Sequence, residues 1–357
     1  MTREELLSLK ASCPDREIYV RTKAAWDSLA KPVDGLGYFE ELHCRTAAIK
    51  EDTHPDISRK RLVIMCADNG VTAEGVTQTD RSVTASVAAL MGKRRSSAGI
   101  MTKGMPLDIL TVDIGIDIPH TPEGVLDKKV AAGTADLLRE RAMTEEQCLK
   151  ALSAGIAIAE ESREKGYGII ATGEMGIGNT TTSTALLCAL TGLAPAEVTG
   201  RGAGLSDEGL KSKIKVIEEA LAFHGLSQGS DPAYAFEALC CVGGLDIAGI
   251  AGMFIGGMLF KLPVVIDGLI SAAAALCAER MVPGCREYML PSHSGKEKGT
   301  ARILELLGLK SVIDADMALG EGTGAVMLFP LLDMVFSLYE NGTAFADTDI
   351  TKYERFH

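Results

Sequence analysis

Short apolar runs, each ending in a polar loop that contains glycine, dominate the chain from about residue 61. The runs cover residues 62–65, 107–112, 168–171, 263–266 and 288–290. Apolar runs of this length are typical of strands that are buried on both faces of a parallel sheet. The intervening stretches predict helices, over residues 83–103, 145–165, 180–190, 207–223 and 271–281. We therefore expect an α/β fold with a mainly parallel sheet, in which ligands bind beyond the carboxyl ends of the strands.

Two other segments have a helical pattern. Before about residue 52 the chain is charged, and its apolar side chains follow a helical spacing at Trp26, Leu29, Leu36, Phe39 and Leu42. The apolar run over residues 247–260 contains four glycines and is shorter than the roughly 20 residues that cross a membrane. It predicts a buried helix that packs closely against a neighbour.

Composition excludes several classes of partner. The 357 residues are 46% hydrophobic and carry a net charge of −12, which argues against binding nucleic acid or anionic membranes. Nine cysteines without a Cys-x-x-Cys pair, and an N-terminus without an apolar signal core, predict a cytoplasmic protein. Six histidines without a His-x-x-x-His pair give no support for a metal site, and no cofactor is expected.

The segment from Gly173 to Thr182 lies between a predicted strand and a predicted helix. Its glycines and hydroxyls favour an anion site made by backbone N–H groups at a helix N-terminus. The spacing is close to G-x-x-x-x-G-K-[ST], but Asn179 stands in the lysine position, which disfavours a P-loop kinase. A monophosphate or a ribose fits better. The alternative is a tight turn that Asn179 or Thr180 caps. The candidate ligand residues are Gly173, Gly176, Gly178, Asn179 and Thr180.

Further candidates lie in two other loops. A second glycine loop contains Gly202 and precedes a helix with Lys211, Lys213 and Lys215, which form either a solvated face or a phosphate contact. After the last predicted strand, Ser292 and His293 offer groups for phosphate oxygens. No G-x-S-x-G motif accompanies them, so a Ser–His–Asp triad is disfavoured.

One carboxylate stands among glycines at 319–324, in the sequence Leu-Gly-Glu-Gly-Thr-Gly. A glutamate on a bare loop can approach a bound small molecule and act as a general base. The alternative is an acidic residue that interacts with the start of a helix. Glu321 is therefore the candidate base, with Leu319 and Gly320 beside it.

These segments, in this order, resemble the nicotinate-nucleotide:dimethylbenzimidazole phosphoribosyltransferase family, which assembles the lower loop of cobalamin. The resemblance covers nearly the whole chain, and its most specific motifs are 173–181 and 319–324. The supporting stretches lie at 31–37, 67–76, 200–209, 242–248, 267–273 and 292–293.

The resemblance implies a reaction in which nicotinate mononucleotide and a benzimidazole give an α-ribazole phosphate and nicotinate. It implies that Glu321 takes the benzimidazole proton and that Glu174 gives electrostatic support. It also implies ribose and phosphate contacts at residues 173–178, Lys213 and Ser292. The expected fold is a Rossmann-like domain over 61–325, with a small helical domain from 1–60 and 326–357, in a homodimer.

Two positions depart from the family pattern. Asn69 replaces a histidine that is frequent in the first loop, and Ser86 follows Val83-Thr84-Ala85 where a glutamine often lines the base pocket. The second change leaves the acceptor base open among benzimidazoles, purines and phenolic compounds. A nucleotide-binding sensor or scaffold without catalysis is the alternative from another class, although the intact Glu321 disfavours it.

Overall fold

The computed structural model describes residues 1–354. Its strands are β1 (Lys60–Ala67), β2 (Leu107–Gly115), β3 (Leu126–Asp127), β4 (Ile169–Met175), β5 (Val264–Ile266), β6 (Met289–Pro291), β7 (His293–Gly295) and β8 (Ile313–Met317). Its helices are α1 (Arg3–Leu7), α2 (Arg16–Trp26), α3 (Tyr38–Lys50), α4 (Ser82–Gly92), α5 (Ser97–Met101), α6 (Glu145–Glu164), α7 (Asn179–Thr191), α8 (Pro195–Val198), α9 (Asp207–Phe223), α10 (Pro232–Val242), α11 (Leu245–Leu259), α12 (Leu269–Met281), α13 (Lys298–Leu306) and α14 (Thr323–Asn341).

Six parallel strands form the main sheet, in the order β3-β2-β1-β4-β5-β6. All five predicted apolar runs lie on these strands, and the predicted α/β fold is confirmed. The order reverses at β1, which pairs with β2 on one side and β4 on the other. This is the switch point beyond which open α/β sheets bind ligands. Strands β7 and β8 form a separate parallel pair.

The sheet is covered on both faces because side chains alternate along each strand. In β1, Val63, Met65 and Ala67 join a core with α6, α7, α10, α11 and α12. Leu62 and Ile64 point the other way, into a core with α3, α4 and α14. Each residue of β1 is buried, which explains why its sequence from Leu62 onwards is a continuous apolar run rather than an alternating one.

The helix predicted over 247–260 is confirmed as α11, and its glycines allow close packing within the chain. A Cβ at Gly252 would lie 2.1 Å from the carbonyl oxygen of Leu152 on α6. A Cβ at Gly155 on α6 would lie 2.0 Å from the carbonyl oxygen of Gly249. Only glycine fits this approach, so the two backbones are in direct contact.

The two ends of the chain meet in an aromatic cluster that joins α2, α3 and α14. Trp26 Nε1 donates to Nδ1 of the buried His43 at 3.2 Å, and the rings of His43 and Tyr339 lie 4.2 Å apart. Helix α14 begins at Thr323, so the expected boundary at 325/326 falls within one helix. The same helix also packs on the sheet through Leu328 and Phe329. The division into two domains stays a prediction.

Two details differ from the sequence analysis. The helix predicted over 83–103 is broken between α4 and α5, where Arg94 has a φ of +52°. A Cβ at Gly92 would lie 2.5 Å from the carbonyl oxygen of Glu123, so this glycine is held against a neighbouring loop. Leu36 is 36% exposed and does not belong to the apolar stripe of the first helices.

Helix α14 is long and apolar enough to cross a membrane by length and composition alone. Fifty-six per cent of its most apolar window is buried inside the structure. That buried side is part of the core described above. Its outer side carries three exposed large apolar side chains, Met327, Met334 and Leu338.

Candidate active site

A cavity of about 270 Å³ lies beyond the carboxyl ends of β4 and β5. Ten of the predicted site residues line it: Glu174, Gly176, Gly178, Asn179, Thr180, Gly202, His293, Leu319, Gly320 and Glu321. Segments that are far apart in the sequence therefore meet at the sheet edge that the strand pattern indicates. Four predicted residues, Gly173, Lys213, Ser292 and Ser86, are not among the lining residues.

The loop with Glu321 has an unusual backbone. Gly320, Glu321 and Gly322 all have left-handed conformations, with φ of +86°, +59° and +80°. Glycine adopts this region without strain, whereas a glutamate does so at a cost of roughly 1–2 kcal/mol. Glu321 Oε2 accepts a hydrogen bond from the backbone N–H of Ala98 at 2.9 Å. The candidate base therefore has a fixed position against the start of α5.

Asp267, at the end of β5, holds the start of α14. The residue before this helix is Gly322, which has no side chain to cap it. Asp267 Oδ1 instead accepts a hydrogen bond from Ala325 N–H at 2.9 Å. Burial raises the pKa of Asp267. The nearby His293 and several backbone N–H groups, including that of Gly324, act in the opposite direction and lower it. A residue 58 positions away in sequence thus provides the helix cap next to the Glu321 loop.

Two predicted ligand residues, Gly173 and His293, lie directly against this loop and the start of α14, and a third, Ser292, contacts His293. A Cβ at Gly173 would lie 2.8 Å from the carbonyl oxygen of Glu321, so this glycine makes room for the loop. His293 packs against Gly324, where a Cβ would lie 1.9 Å from the ring Nδ1. Ser292 Oγ donates to the carbonyl oxygen of Ile266 at 2.6 Å and also contacts His293 Nδ1.

Asn179 bridges two buried carboxyl groups at the start of α7. Its side-chain amide donates to Glu174 Oε2 and, at 3.0 Å, to Asp246 Oδ2. Burial raises the pKa of Glu174 to about 8, and it raises the pKa of Asp246 to about 6. Burial therefore favours the neutral acid form of Glu174 at pH 7. A Cβ at Gly320 would lie 2.6 Å from Glu174 Oε1, so this carboxyl group borders the Glu321 loop.

The opposite part of the cavity is suited to an anion. Gly178 precedes α7 with a φ of +94°, and the N-terminus of this 13-residue helix faces the cavity. Lys213 Nζ donates to Thr180 Oγ1 at 2.8 Å. A Cβ at Gly202 would lie 3.0 Å from the same hydroxyl and 3.5 Å from Lys213 Nζ. Burial lowers the pKa of Lys213 to about 8, whereas Lys211 and Lys215 are not buried.

The remaining candidates of the first loop and of α4 have other positions. Asp68, in the loop after β1, accepts a hydrogen bond at its Oδ2 atom from Asp117 N–H at 2.8 Å. Ser86 is exposed, donates to the carbonyl oxygen of Ser82 on the same helix, and does not line the cavity. The next residue, Val87, lines the cavity instead. A shift of one residue turns a side chain by about 100° around a helix, which accounts for the difference.

Sequence reasoning missed several residues of this site, among them Asp246, Asp267, Val87 and Glu297. Asp267 has a recognisable signal, because an acidic residue and a glycine directly follow a buried strand. Asp246 follows a pair of glycines at the start of an apolar helix. Glu297 had no signal, since it lies in a charged stretch that is typical of a solvated surface.

Comparison with known proteins identifies the family. The sequence model of a family described as "Phosphoribosyltransferase" matches residues 11–350. The chain belongs to this phosphoribosyltransferase family. It is 39% identical to the nicotinate-nucleotide–dimethylbenzimidazole phosphoribosyltransferase of Clostridium acetobutylicum over 341 residues, which cover 95% of this chain and 96% of that protein. It is 40% identical to the protein of the same name from Acetivibrio thermocellus, with 92% of each chain covered.

A solved structure of the phosphoribosyltransferase family has the same fold. The crystal structure of CobT from Thermus thermophilus matches with a TM-score of 0.87 and 36% identity, and covers 94% of this chain and 100% of that one. The resemblance inferred from the motifs is therefore confirmed. The comparisons name no site residue, so the roles given to individual side chains stay predictions.

Proposed function

We propose that the protein transfers the 5-phosphoribosyl group of nicotinate mononucleotide to 5,6-dimethylbenzimidazole or a related base, giving α-ribazole 5′-phosphate and nicotinate. Membership of the phosphoribosyltransferase family and the names of its relatives support this proposal. The observation that carries it is a cavity that combines the N-terminus of α7 at Thr180, whose hydroxyl accepts a hydrogen bond from Lys213, with a fixed carboxylate at Glu321.

The proposed reaction is one displacement at C1′ of the ribose. Glu321 takes the proton from one nitrogen of the acceptor ring, and the other nitrogen attacks C1′. The bond between C1′ and the pyridinium nitrogen breaks, and its electron pair remains on nicotinate. Attack opposite the leaving group converts the β linkage into an α linkage. No oxidant or reductant is required, because one C–N bond forms at C1′ as another breaks.

Glu174 gives electrostatic support in this scheme, and its protonation state depends on the substrate. The neutral acid form that burial favours cannot stabilise a cation. The pyridinium ring of nicotinate mononucleotide carries a positive charge, which lowers the pKa of a neighbouring carboxyl group. We therefore expect Glu174 to lose its proton when the nucleotide binds. Its carboxylate then faces the positive charge that develops at C1′.

The walls near Glu321 favour an apolar acceptor. Val87 and Met175 line the cavity and pack in the same apolar cluster as Ala98, whose N–H group holds Glu321. An adenine would bury polar ring edges against such walls without partners, at a cost of about 1–3 kcal/mol for each group. Benzimidazoles and phenols have fewer polar edges. We therefore propose that the enzyme prefers them to purines.

Product analysis by mass spectrometry tests the function. The purified protein is incubated with nicotinate mononucleotide and a panel of benzimidazoles, adenine and phenols. We expect a ribazole phosphate and one equivalent of nicotinate with 5,6-dimethylbenzimidazole. Binding of nucleotide without release of nicotinate would instead support the sensor alternative.

The variant Glu321→Gln tests the role of the base. Loss of a general base costs about 10²- to 10⁴-fold in turnover, while the affinity for nicotinate mononucleotide should change little. Glu340→Gln is the matched control, because Glu340 lies on the same helix α14 but is exposed and bound to His54. Full turnover in the Glu321→Gln variant is incompatible with the assigned role.

We also propose that the enzyme is a cytoplasmic homodimer. The exposed apolar side of α14, with Met327, Met334 and Leu338, supports a contact with a second copy. Light scattering after size-exclusion chromatography measures the mass of the particle, and Met334→Glu should shift it towards the monomer. The acidic composition and the unpaired cysteines support the location, which cell fractionation tests.

A further inference from the structure

Glu297 is a half-buried residue whose carboxyl group lies at the wall of the cavity. It directly precedes α13, and its side chain lines the cavity. Within residues 1–354, no donor forms a hydrogen bond with its Oε2 atom, which is buried. Thr300, one turn further along, also lines the cavity and has a buried hydroxyl without a partner in the same part of the chain. A carboxylate and a hydroxyl on the same turn are thus available to a ligand.

The surrounding chain leaves room for this carboxylate. A Cβ at Gly200 would lie 1.5 Å from Glu297 Oε2, so only a glycine at position 200 allows the observed position. The negative charge of Glu297 also acts against the effect of burial on Lys213, because it raises the pKa of that amine. Glu297 therefore lies towards the phosphate end of the cavity. Leaving a buried acceptor unpaired costs about 1–3 kcal/mol, which a ligand that donates a hydrogen bond removes.

The chemistry of the substrates identifies the missing donor. A carboxylate only accepts hydrogen bonds. The phosphate of a nucleotide is a dianion that offers no donor at neutral pH, and the N–H group of the acceptor base belongs to Glu321. The two hydroxyls of the ribose are the donors that remain. Between a phosphate at Lys213 and a base at Glu321, the ribose is also the part that lies in the middle.

We infer that Glu297 accepts a hydrogen bond from a ribose hydroxyl of the nucleotide, and that Thr300 contacts the ribose beside it. The inference rests on the proposed function, because it assumes that a ribonucleotide is the donor substrate. Glu297 then selects ribonucleotides over deoxyribonucleotides, and Gly200 is the residue that allows it to do so.

Analogues of the nucleotide test this assignment. We compare kcat/KM for nicotinate mononucleotide with that for its 2′-deoxy and 3′-deoxy forms, in the wild type and in Glu297→Ala. A hydrogen bond to a charged group corresponds to about 10- to 100-fold in affinity, so the wild type should prefer the ribonucleotide to one of the deoxy forms by this factor. In Glu297→Ala the preference should fall to within about 3-fold, because the charged acceptor is gone.

Three further variants complete the test. Gly200→Ala leaves Glu297 in the chain but displaces its carboxylate, and should reduce the same preference. Glu305→Ala is the matched control, since Glu305 lies on the same helix α13 but is exposed and pairs with Arg302. It should keep the wild-type preference. If Glu297→Ala does not fold, Glu297→Gln preserves the volume and should narrow the preference, because a neutral amide is a weaker acceptor.

Failure of the inference can be distinguished from failure of the proposed function. If the wild type releases no nicotinate from the ribonucleotide, the proposed function is wrong. If it turns over the ribonucleotide but does not discriminate against either deoxy form, or if the Glu297 variants discriminate as the wild type does, the assignment of Glu297 is wrong.

Discussion

Replacement of Asp267 tests whether the catalytic loop depends on a cap from a distant strand. Asp267 is 3% exposed, and its carboxyl group accepts a hydrogen bond from Ala325 N–H in the first turn of α14. The loop with Glu321 precedes this turn, and Gly322 provides no cap of its own. In Asp267→Ala the first turn of α14 loses the side-chain hydrogen bond to Ala325 N–H. The loop can then move relative to the sheet.

The size of the effect follows from these contacts. A hydrogen bond from a backbone amide to a charged group contributes about 1.5–3 kcal/mol, and loss of a cap costs about 0.5–2 kcal/mol. We therefore expect Asp267→Ala to lower the free energy of unfolding by about 2–3 kcal/mol. A displacement of the base by about 1 Å costs on the order of 10²-fold in rate. The kcat of Asp267→Ala should therefore fall by about 10²-fold. The loss of stability does not explain this fall where the variant remains folded.

The assay compares urea denaturation with kcat for the wild type, Asp267→Ala and Asp231→Ala. Asp231 is an exposed cap that accepts a hydrogen bond from Tyr234 N–H at the start of α10, away from the cavity. Its loss should cost about 1 kcal/mol and leave kcat unchanged. If Asp267→Ala loses stability but retains the wild-type kcat, Asp267 does not position the loop and the reasoning is refuted.

Two further predictions concern pH. The pKa of Lys213 near 8 implies that its charge is lost above that pH, so KM for nicotinate mononucleotide should rise between about pH 7 and 9. Lys213→Arg stays charged and should flatten this profile, and a parallel rise in that variant would contradict the assignment. Burial lowers the pKa of His43 to about 3, whereas the unfolded chain binds this proton near pH 6.5. The stability from neutral His43 is therefore complete above pH 6.5 and is lost towards pH 3, by about 2 kcal/mol at pH 5. Urea denaturation of the His43→Phe variant should therefore show a smaller loss of stability between pH 6.5 and pH 5 than the wild type does.

The sequence was sufficient for those features that local patterns determine. Buried parallel strands appear as continuous apolar runs, and their polar ends lie at one edge of the sheet. This pattern placed Glu174 at that edge, whereas only the family resemblance implied that Glu321 belongs to the same site. The sequence was not sufficient where a contact depends on the rotation of a helix or on distant segments. Lys213 faces Thr180 while Lys211 and Lys215 face solvent, because residues two apart lie on different sides of a helix. The contact of Asp267 with Ala325 spans 58 residues and leaves no local pattern.

The strained backbone of Glu321 is understandable as a device for holding the base in place. A glutamate with a φ of +59° persists only where its surroundings determine its conformation. Here the loop is fixed at its carbonyl side by Gly173, at its carboxylate by Ala98, and after Gly322 by Asp267. These three contacts come from three different segments of the chain, and none of those segments is part of the loop itself. The carboxylate therefore has its position before the substrates arrive, and the enzyme does not need to order it during the reaction.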